Sequence, residues 1–83
     1  MNETELRATV IEALHRIAPE AEAADLADDA DLQEALDLDS MDFLNLMIAV
    51  QERTGIEVPE QDYPQVVTLG SCVAYLAARS APG

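Results

Sequence analysis

The stretch Leu36-Asp37-Leu38-Asp39-Ser40-Met41-Asp42-Phe43-Leu44-Asn45-Leu46-Met47-Ile48-Ala49-Val50 joins a polar helix start to the most apolar helical segment of the chain. Asp39 is short and polar, so its carboxylate can cap the free amides of a helix that begins behind it, with Asp42 at the third helical position. Gly55 supplies a stop. The pattern predicts a helix over about residues 40–53, with Ser40 in its first turn. That helix has too many apolar residues for one buried face. At 100° per residue Phe43, Leu46, Met47 and Val50 cluster on one side, while Met41, Leu44 and Ile48 form a second stripe displaced around the axis. The first stripe is the expected core face. The second either packs under the preceding loop or stays partly exposed, ringed by Asp42, Asn45 and Glu52. The exposed arrangement is the one expected, because an apolar strip with an acidic rim suits transient docking of a partner.

On the N-terminal side, Leu6, Val10, Leu14 and Ile17 recur at the helical period with Ala13 beside them. Asn2 followed by Glu5 reads as a capping box, and Pro19 ends the pattern, which predicts a helix over about residues 3–17. Residues 18–38 make a long first connection, in which Leu26, Leu32, Leu36 and Leu38 are expected to pin the chain to the bundle around a short helical turn. On the C-terminal side, Val58-Pro59-Glu60-Gln61-Asp62-Tyr63-Pro64 is bounded by prolines and leaves room for a short helix. Thr68 then caps a last helix carrying Leu69, Cys72, Val73 and Leu76 on one stripe. The expectation is an all-α bundle of three main helices and one short one, forming a single domain over 1–83. Its ordered part would run over about 3–79, with residues 80–83 as a flexible tail.

A chain of 83 residues buries roughly 60% of its unfolded surface, so its core is thin and a deep two-domain cleft is excluded. Seventeen Asp and Glu face four Arg and no Lys, for a net charge of −13. Such a surface repels nucleic acid and anionic membranes and attracts basic proteins. Disorder is not expected, because the hydrophobic content is ordinary and periodic. The apolar runs, Leu46 to Val50 among them, are far short of the roughly 20 residues a bilayer requires. The start Met-Asn-Glu-Thr-Glu lacks the basic and apolar segments of a secretory signal, which makes the cytoplasm the default compartment. A monomer is expected. Cys72 cannot form an intrachain disulfide and, on the apolar stripe of the last helix, reads as a small core residue.

Asp-Ser-x-Asp alone is an ordinary helix start. Here it comes with an acidic helical chain of this size, a long loop before the serine, a leucine two residues ahead of the serine and a partner-like helix behind it. The stretch around Asp39-Ser40 therefore resembles the phosphopantetheine attachment motif of the acyl carrier protein family. The resemblance extends to Ile56-Glu57-Val58-Pro59 and to Thr68-Leu69. It implies a four-helix bundle of acyl-carrier type whose Ser40 receives 4'-phosphopantetheine from coenzyme A, through a magnesium-dependent phosphopantetheinyl transferase. It also implies a carrier of acyl thioesters rather than an enzyme, visited by acyl-loading, ketosynthase or acyltransferase-type partners with basic docking surfaces. Asp39 would flank the attachment point; Met41, Asp42, Leu44, Asn45, Ile48 and Glu52 would meet the partners.

Other chemistries fail on particular residues. A calcium loop begun at Asp29 puts Glu34 where the turn needs glycine and Ser40 where a bidentate glutamate belongs. His15, mid-helix and distant in sequence, reads as a solvated surface histidine, so Ser40 has no evident base and no catalytic role. No metal-ligand cluster is legible. Relative to carriers of fatty-acid synthesis, this chain has Asn45 and Gln51 along the helix, together with Asp62-Tyr63-Pro64 and Gly70. These departures point to a specialised fatty-acid- or polyketide-like pathway. Two alternatives stay open: a peptidyl or aminoacyl carrier, and an acidic interaction module with no prosthetic group.

Overall fold

The structure, a computed structural model, describes residues 2–20 and 22–80. Among the described residues four α-helices follow one another, α1 (Glu3–Ile17), α2 (Leu32–Ala35), α3 (Ser40–Thr54) and α4 (Leu69–Ser80). Two 3-10 segments, Ala23–Asp25 and Glu60–Val66, interrupt the connections. Three long helices and one shorter 3-10 helix make the expected all-α bundle. Within the long first connection α2 supplies the anticipated helical turn. Ser80, assigned to the tail from sequence, closes α4; residues 81–83 lie outside the described residues.

Each helix begins where side-chain chemistry can satisfy its free amides. The Asn2 side chain accepts from the Glu5 amide at 2.8 Å, which is one half of the predicted box. The Thr68 hydroxyl accepts from the Ser71 amide at 3.1 Å while the Ser71 hydroxyl accepts from the Thr68 amide at 3.2 Å, a reciprocal cap for α4. At its far end α3 stops at Gly55, whose φ of 74° is the left-handed conformation that a residue without a Cβ adopts at little cost.

The core is mainly aliphatic, with Phe43 as its one buried aromatic among the described residues. Leu6, Val10, Ala13 and Leu14 from α1 meet Phe43, Leu46, Met47 and Val50 from α3 and Leu69, Cys72, Val73 and Leu76 from α4. Leu32, Leu36 and Leu38 are buried in the same cluster, and Leu26 packs against it, so the leucines of the first connection do pin it down. Full burial of one such leucine stabilises by about 1.5–3 kcal/mol. Backbone bonds finish the attachment: Leu32 donates to the Val67 carbonyl at 2.8 Å, Leu69 to Ala30 at 3.2 Å and Gly70 to Asp28 at 2.8 Å. The Arg7–Asp28 ion pair lies over this seam. Burial pushes the Cys72 thiol up to about 12, as expected of a small core residue rather than a reactive one.

One boundary differs from the sequence expectation. The short helix before α4 does not end at Pro64 but runs through it to Val66. Proline fixes φ near the value that a 3-10 turn requires, and it costs only the hydrogen bond its missing N–H would donate. Asp62 holds this segment from α4, accepting from the Tyr75 hydroxyl at 2.5 Å and from Arg79 at 3.2 Å, with the Arg79 guanidinium stacked over the Tyr75 ring.

Candidate functional site

Ser40 is the first residue of α3, and its position is fixed from both sides. Upstream, α2 closes with Asp37 at φ 54°, a left-handed residue that lets the Leu38 amide reach back to the Gln33 carbonyl at 2.8 Å. Aspartate is among the side chains that accept this conformation most readily. Leu38, just beyond the turn, is buried and anchors it. Downstream, Asp39 and Asp42 cap α3 reciprocally: the Asp39 carboxylate accepts the Asp42 amide at 2.8 Å, and the Asp42 carboxylate accepts the Asp39 amide at 3.4 Å. Both carboxylates thus serve the helix start itself. The Ser40 side chain is exposed, and its hydroxyl makes no hydrogen bond among the described residues.

The second apolar stripe is open to solvent. Met41 is 64% exposed, Leu44 37% and Ile48 45%, and these are the exposed large hydrophobic residues among those described. Asn45 and Glu52 extend the same side of the helix at four-residue spacing and are exposed, while Asp42 is half-buried at its start. The structure therefore brings together, on one helix beside Ser40, all six residues expected to meet partners. Phe43, Leu46, Met47 and Val50 face inward as the periodicity required.

Ser40 also borders a cleft of about 560 Å³ whose surface is mainly apolar. Met41, Phe43 and Leu44 form one wall, Glu60, Tyr63, Pro64 and Val67 the other, and Gln33 sits at the α2 end. The Phe43 and Tyr63 rings meet edge to face across it, 5.3 Å between centroids and 78° between planes. Burial, and then the charge of Glu60, hold the Tyr63 phenol above its ordinary pKa. Sequence reasoning found the serine and the strip but not the cleft. The signal that could have exposed it was Asp62-Tyr63-Pro64, the one place in the short helix where an aromatic follows a carboxylate. His15 is exposed on α1 and does not line the cleft. No group of three or more His, Cys, Asp or Glu side chains among them is arranged to hold a metal ion.

A small helical bundle that presents a capped, unencumbered serine at the mouth of an apolar cleft has the construction of a carrier domain, a scaffold for a covalently tethered group. The phosphopantetheine attachment site family matches residues 4–76. The chain belongs to the acyl carrier protein family, and its cofactor is covalently attached 4'-phosphopantetheine. It is 31% identical over 55 residues to the acyl carrier protein of Helicobacter pylori strain G27, covering 66% of this chain and 70% of that one. It is 29% identical over 69 residues to the mitochondrial acyl carrier protein of Saccharomyces cerevisiae, covering 83% of this chain and 55% of that one. A protein designated an acyl carrier protein from Anaplasma phagocytophilum superposes with a TM-score of 0.84 at 25% identity, over 100% of this chain and 97% of that structure. The acyl carrier protein of Enterococcus faecalis, at 21% identity, a TM-score of 0.75 and coverage of 96% of this chain and all of that one, shares the fold. Members of this family carry acyl groups and work with phosphopantetheinyl transferases and biosynthetic enzymes. The interaction module without a prosthetic group falls with this assignment. No helix among the described residues is long and apolar enough to cross a membrane.

Proposed function

We propose that Ser40 is the attachment point of the phosphopantetheine arm, and that the protein, itself without catalytic activity, shuttles acyl intermediates between enzymes of a specialised fatty-acid- or polyketide-like pathway. The observation that carries the reading is the position of Ser40: exposed, its hydroxyl without a hydrogen bond among the described residues, and first in a doubly capped helix at the mouth of an apolar cleft. These features fit the arm, since the hydroxyl is free to be substituted and an open groove adjoins it. When bound, the arm supplies a thiol on which acyl groups are held as thioesters.

This chain's residues anchor and present. The Ser40 hydroxyl takes a phosphodiester by losing its proton, and because the neighbouring Asp39 and Asp42 carboxylates are engaged in capping, the acceptor is assigned to the transferase. The N-terminus of α3 favours an anion at Ser40, while Asp39 and Asp42 oppose one. Because the two carboxylates are already engaged in capping, their outward contribution is to attract basic transferase residues. Met41, Leu44 and Ile48 then provide the apolar contact, and Asn45 and Glu52 its polar border. Three of the four arginines are engaged with Asp28, Glu12 and Asp62, which leaves the acidity of the docking side uncompensated. Tyr63 and Pro64 line the cleft wall facing Ser40, and Asp62 beside them ties that segment to α4, so these three residues, among those by which this chain departs from fatty-acid-synthesis carriers, shape the groove and support the specialised pathway.

The test is incubation with coenzyme A and a broad-specificity transferase. The folded protein should gain one phosphopantetheine mass, and Ser40→Ala should gain none. A folded wild-type protein that stays unmodified, or a Ser40→Ala variant that is still modified, would overturn the assignment. Loading with acyl as against aminoacyl donors then separates acyl from peptidyl carriers.

A further inference from the structure

The cleft beside Ser40 ends abruptly. Its lining is drawn from α2, α3, the 3-10 segment and Val67 just behind it, and it reaches none of the residues at the bundle's centre: Leu46, Val66 and Leu69 are fully buried yet do not border it. Phe43 belongs to the buried cluster and Tyr63 packs against it, both also line the cleft, and their rings meet edge to face, so this contact joins the cleft wall to the core. Phe43 lines the cleft with one edge but is 4% exposed on the core face of α3, so the packing around its ring holds it in place. Tyr63 is restrained by its neighbours in sequence. Asp62 is held from α4 by Tyr75 and Arg79, and Pro64 fixes the following backbone. The Tyr63 hydroxyl makes no hydrogen bond among the described residues, although the ring lines the cleft. With Gln33 and Glu60 it gives an otherwise apolar groove a polar margin.

We infer that Tyr63 determines which cargo this carrier accepts: paired with Phe43, it seals the seam between α3 and the 3-10 segment, so that a chain tethered at Ser40 stays at the cleft mouth. A plain alkyl chain then gains no deep burial, and an oxygenated acyl chain loses none. The cargo class that suits such a site is the oxygenated one, β-keto or β-hydroxy acyl groups, whose polar atoms meet Gln33, Glu60, Tyr63 and water rather than aliphatic core. This inference rests on attachment at Ser40.

The experiment uses the full chain loaded with octanoyl-, 3-hydroxyoctanoyl- or acetyl-phosphopantetheine from the matching coenzyme A thioesters. Intact mass and peptide mapping come first, and a failure to load Ser40 would remove the attachment reading and this inference with it. Once loading is established, amide chemical shifts and thioester cleavage by hydroxylamine report where the chain lies. In the wild-type protein both eight-carbon chains should move the amides of Met41, Leu44, Tyr63 and Val67 but leave those of Leu46, Val66 and Leu69 in place. Octanoyl cleavage should match acetyl cleavage to within about twofold. Tyr63→Ala should let the octanoyl chain shift the central amides and slow its cleavage at least about fivefold, as a buried population reacts only when it returns to the surface. Tyr63→Phe keeps the ring and should seal as the wild type does. A wild-type protein that already protects its octanoyl thioester, or moves its central amides on loading, would overturn the inference even with attachment intact. That comparison needs no variant to fold.

Discussion

Replacing Asp39 with alanine removes the carboxylate that accepts the Asp42 amide at 2.8 Å and leaves the first turn of α3 to water. Loss of an N-cap costs about 1 kcal/mol, and loss of a negative charge at the positive end of the helix adds a few tenths. An opposing effect has to be weighed. Taking one of 17 acids from a chain of net charge −13 relieves self-repulsion, which alone would stabilise. At about 0.15 M salt that long-range relief is screened beyond roughly 8 Å, whereas the capping bond is not, so the net expectation is a destabilisation of about 1 kcal/mol. The reciprocal bond from the Asp39 amide to Asp42 is longer, 3.4 Å, and Asp42→Ala should cost about half as much or less. For a domain of this size, whose stability is about 4–12 kcal/mol, such a change moves the melting temperature by about 4–8 °C. Urea unfolding followed by far-UV circular dichroism measures it, with Asp39→Asn as the control that retains an acceptor oxygen and should lose only tenths. The reasoning is refuted if Asp39→Ala is as stable as the wild type in saline, or if Asp42→Ala proves the more damaging of the two.

Three further outcomes are expected. A Cβ at Gly70 would stand 3.0 Å from the Asp28 carbonyl oxygen and 3.1 Å from the Asp28 Cβ, in the seam where the first connection is stitched to α4. Gly70→Val should therefore lower stability by about 1–3 kcal/mol, and an unchanged urea midpoint would show that the seam yields freely. Leu44→Asp and Ile48→Asp act on exposed positions and should leave stability within about 0.5 kcal/mol while raising the transferase KM about fivefold or more; unchanged kinetics would remove the strip from the docking face. The hydrogen bond from Tyr75 to Asp62 raises the phenol's pKa above its ordinary value, so its contribution is complete below pH about 10 and disappears as pH rises through the raised value. Tyr75→Phe should lower the urea midpoint at neutral pH and converge with the wild type in strong alkali, with tyrosinate absorbance locating the transition; a pH-independent difference would contradict the assignment.

What the amino-acid sequence disclosed and what it withheld divide along a physical line. Features written at the helical period or at a helix end were legible. The division of α3 into a buried stripe through Phe43 and Val50 and an exposed one through Met41 and Ile48 follows from 100° per residue. The caps at Asn2, Asp39 and Thr68 follow from short polar side chains ahead of apolar runs. Contacts between segments distant in sequence were not. The stitching of residues 28–32 to the start of α4 uses backbone groups that every residue possesses, so no side chain announces it. The meeting of Phe43 with Tyr63 and of Asp62 with Tyr75 depends on how helices cross rather than on local pattern. The passage of the 3-10 segment through Pro64 was hidden for another reason: proline ends an α-helix by rule but fits a 3-10 turn. The left-handed turn at Asp37 lacks the glycine that usually marks one.

The central claim is that Ser40 bears the arm, and the chain offers a direct way to see it. Trypsin cleavage after Arg16 and Arg53 releases residues 17–53, in which Ser40 is the single hydroxyl-bearing side chain. Mass spectrometry of that peptide, from protein recovered from its native cell, should show an added phosphopantetheine with or without an acyl group. An unmodified 17–53 peptide accompanied by an arm on residues 54–79, which contain Ser71, would contradict the account.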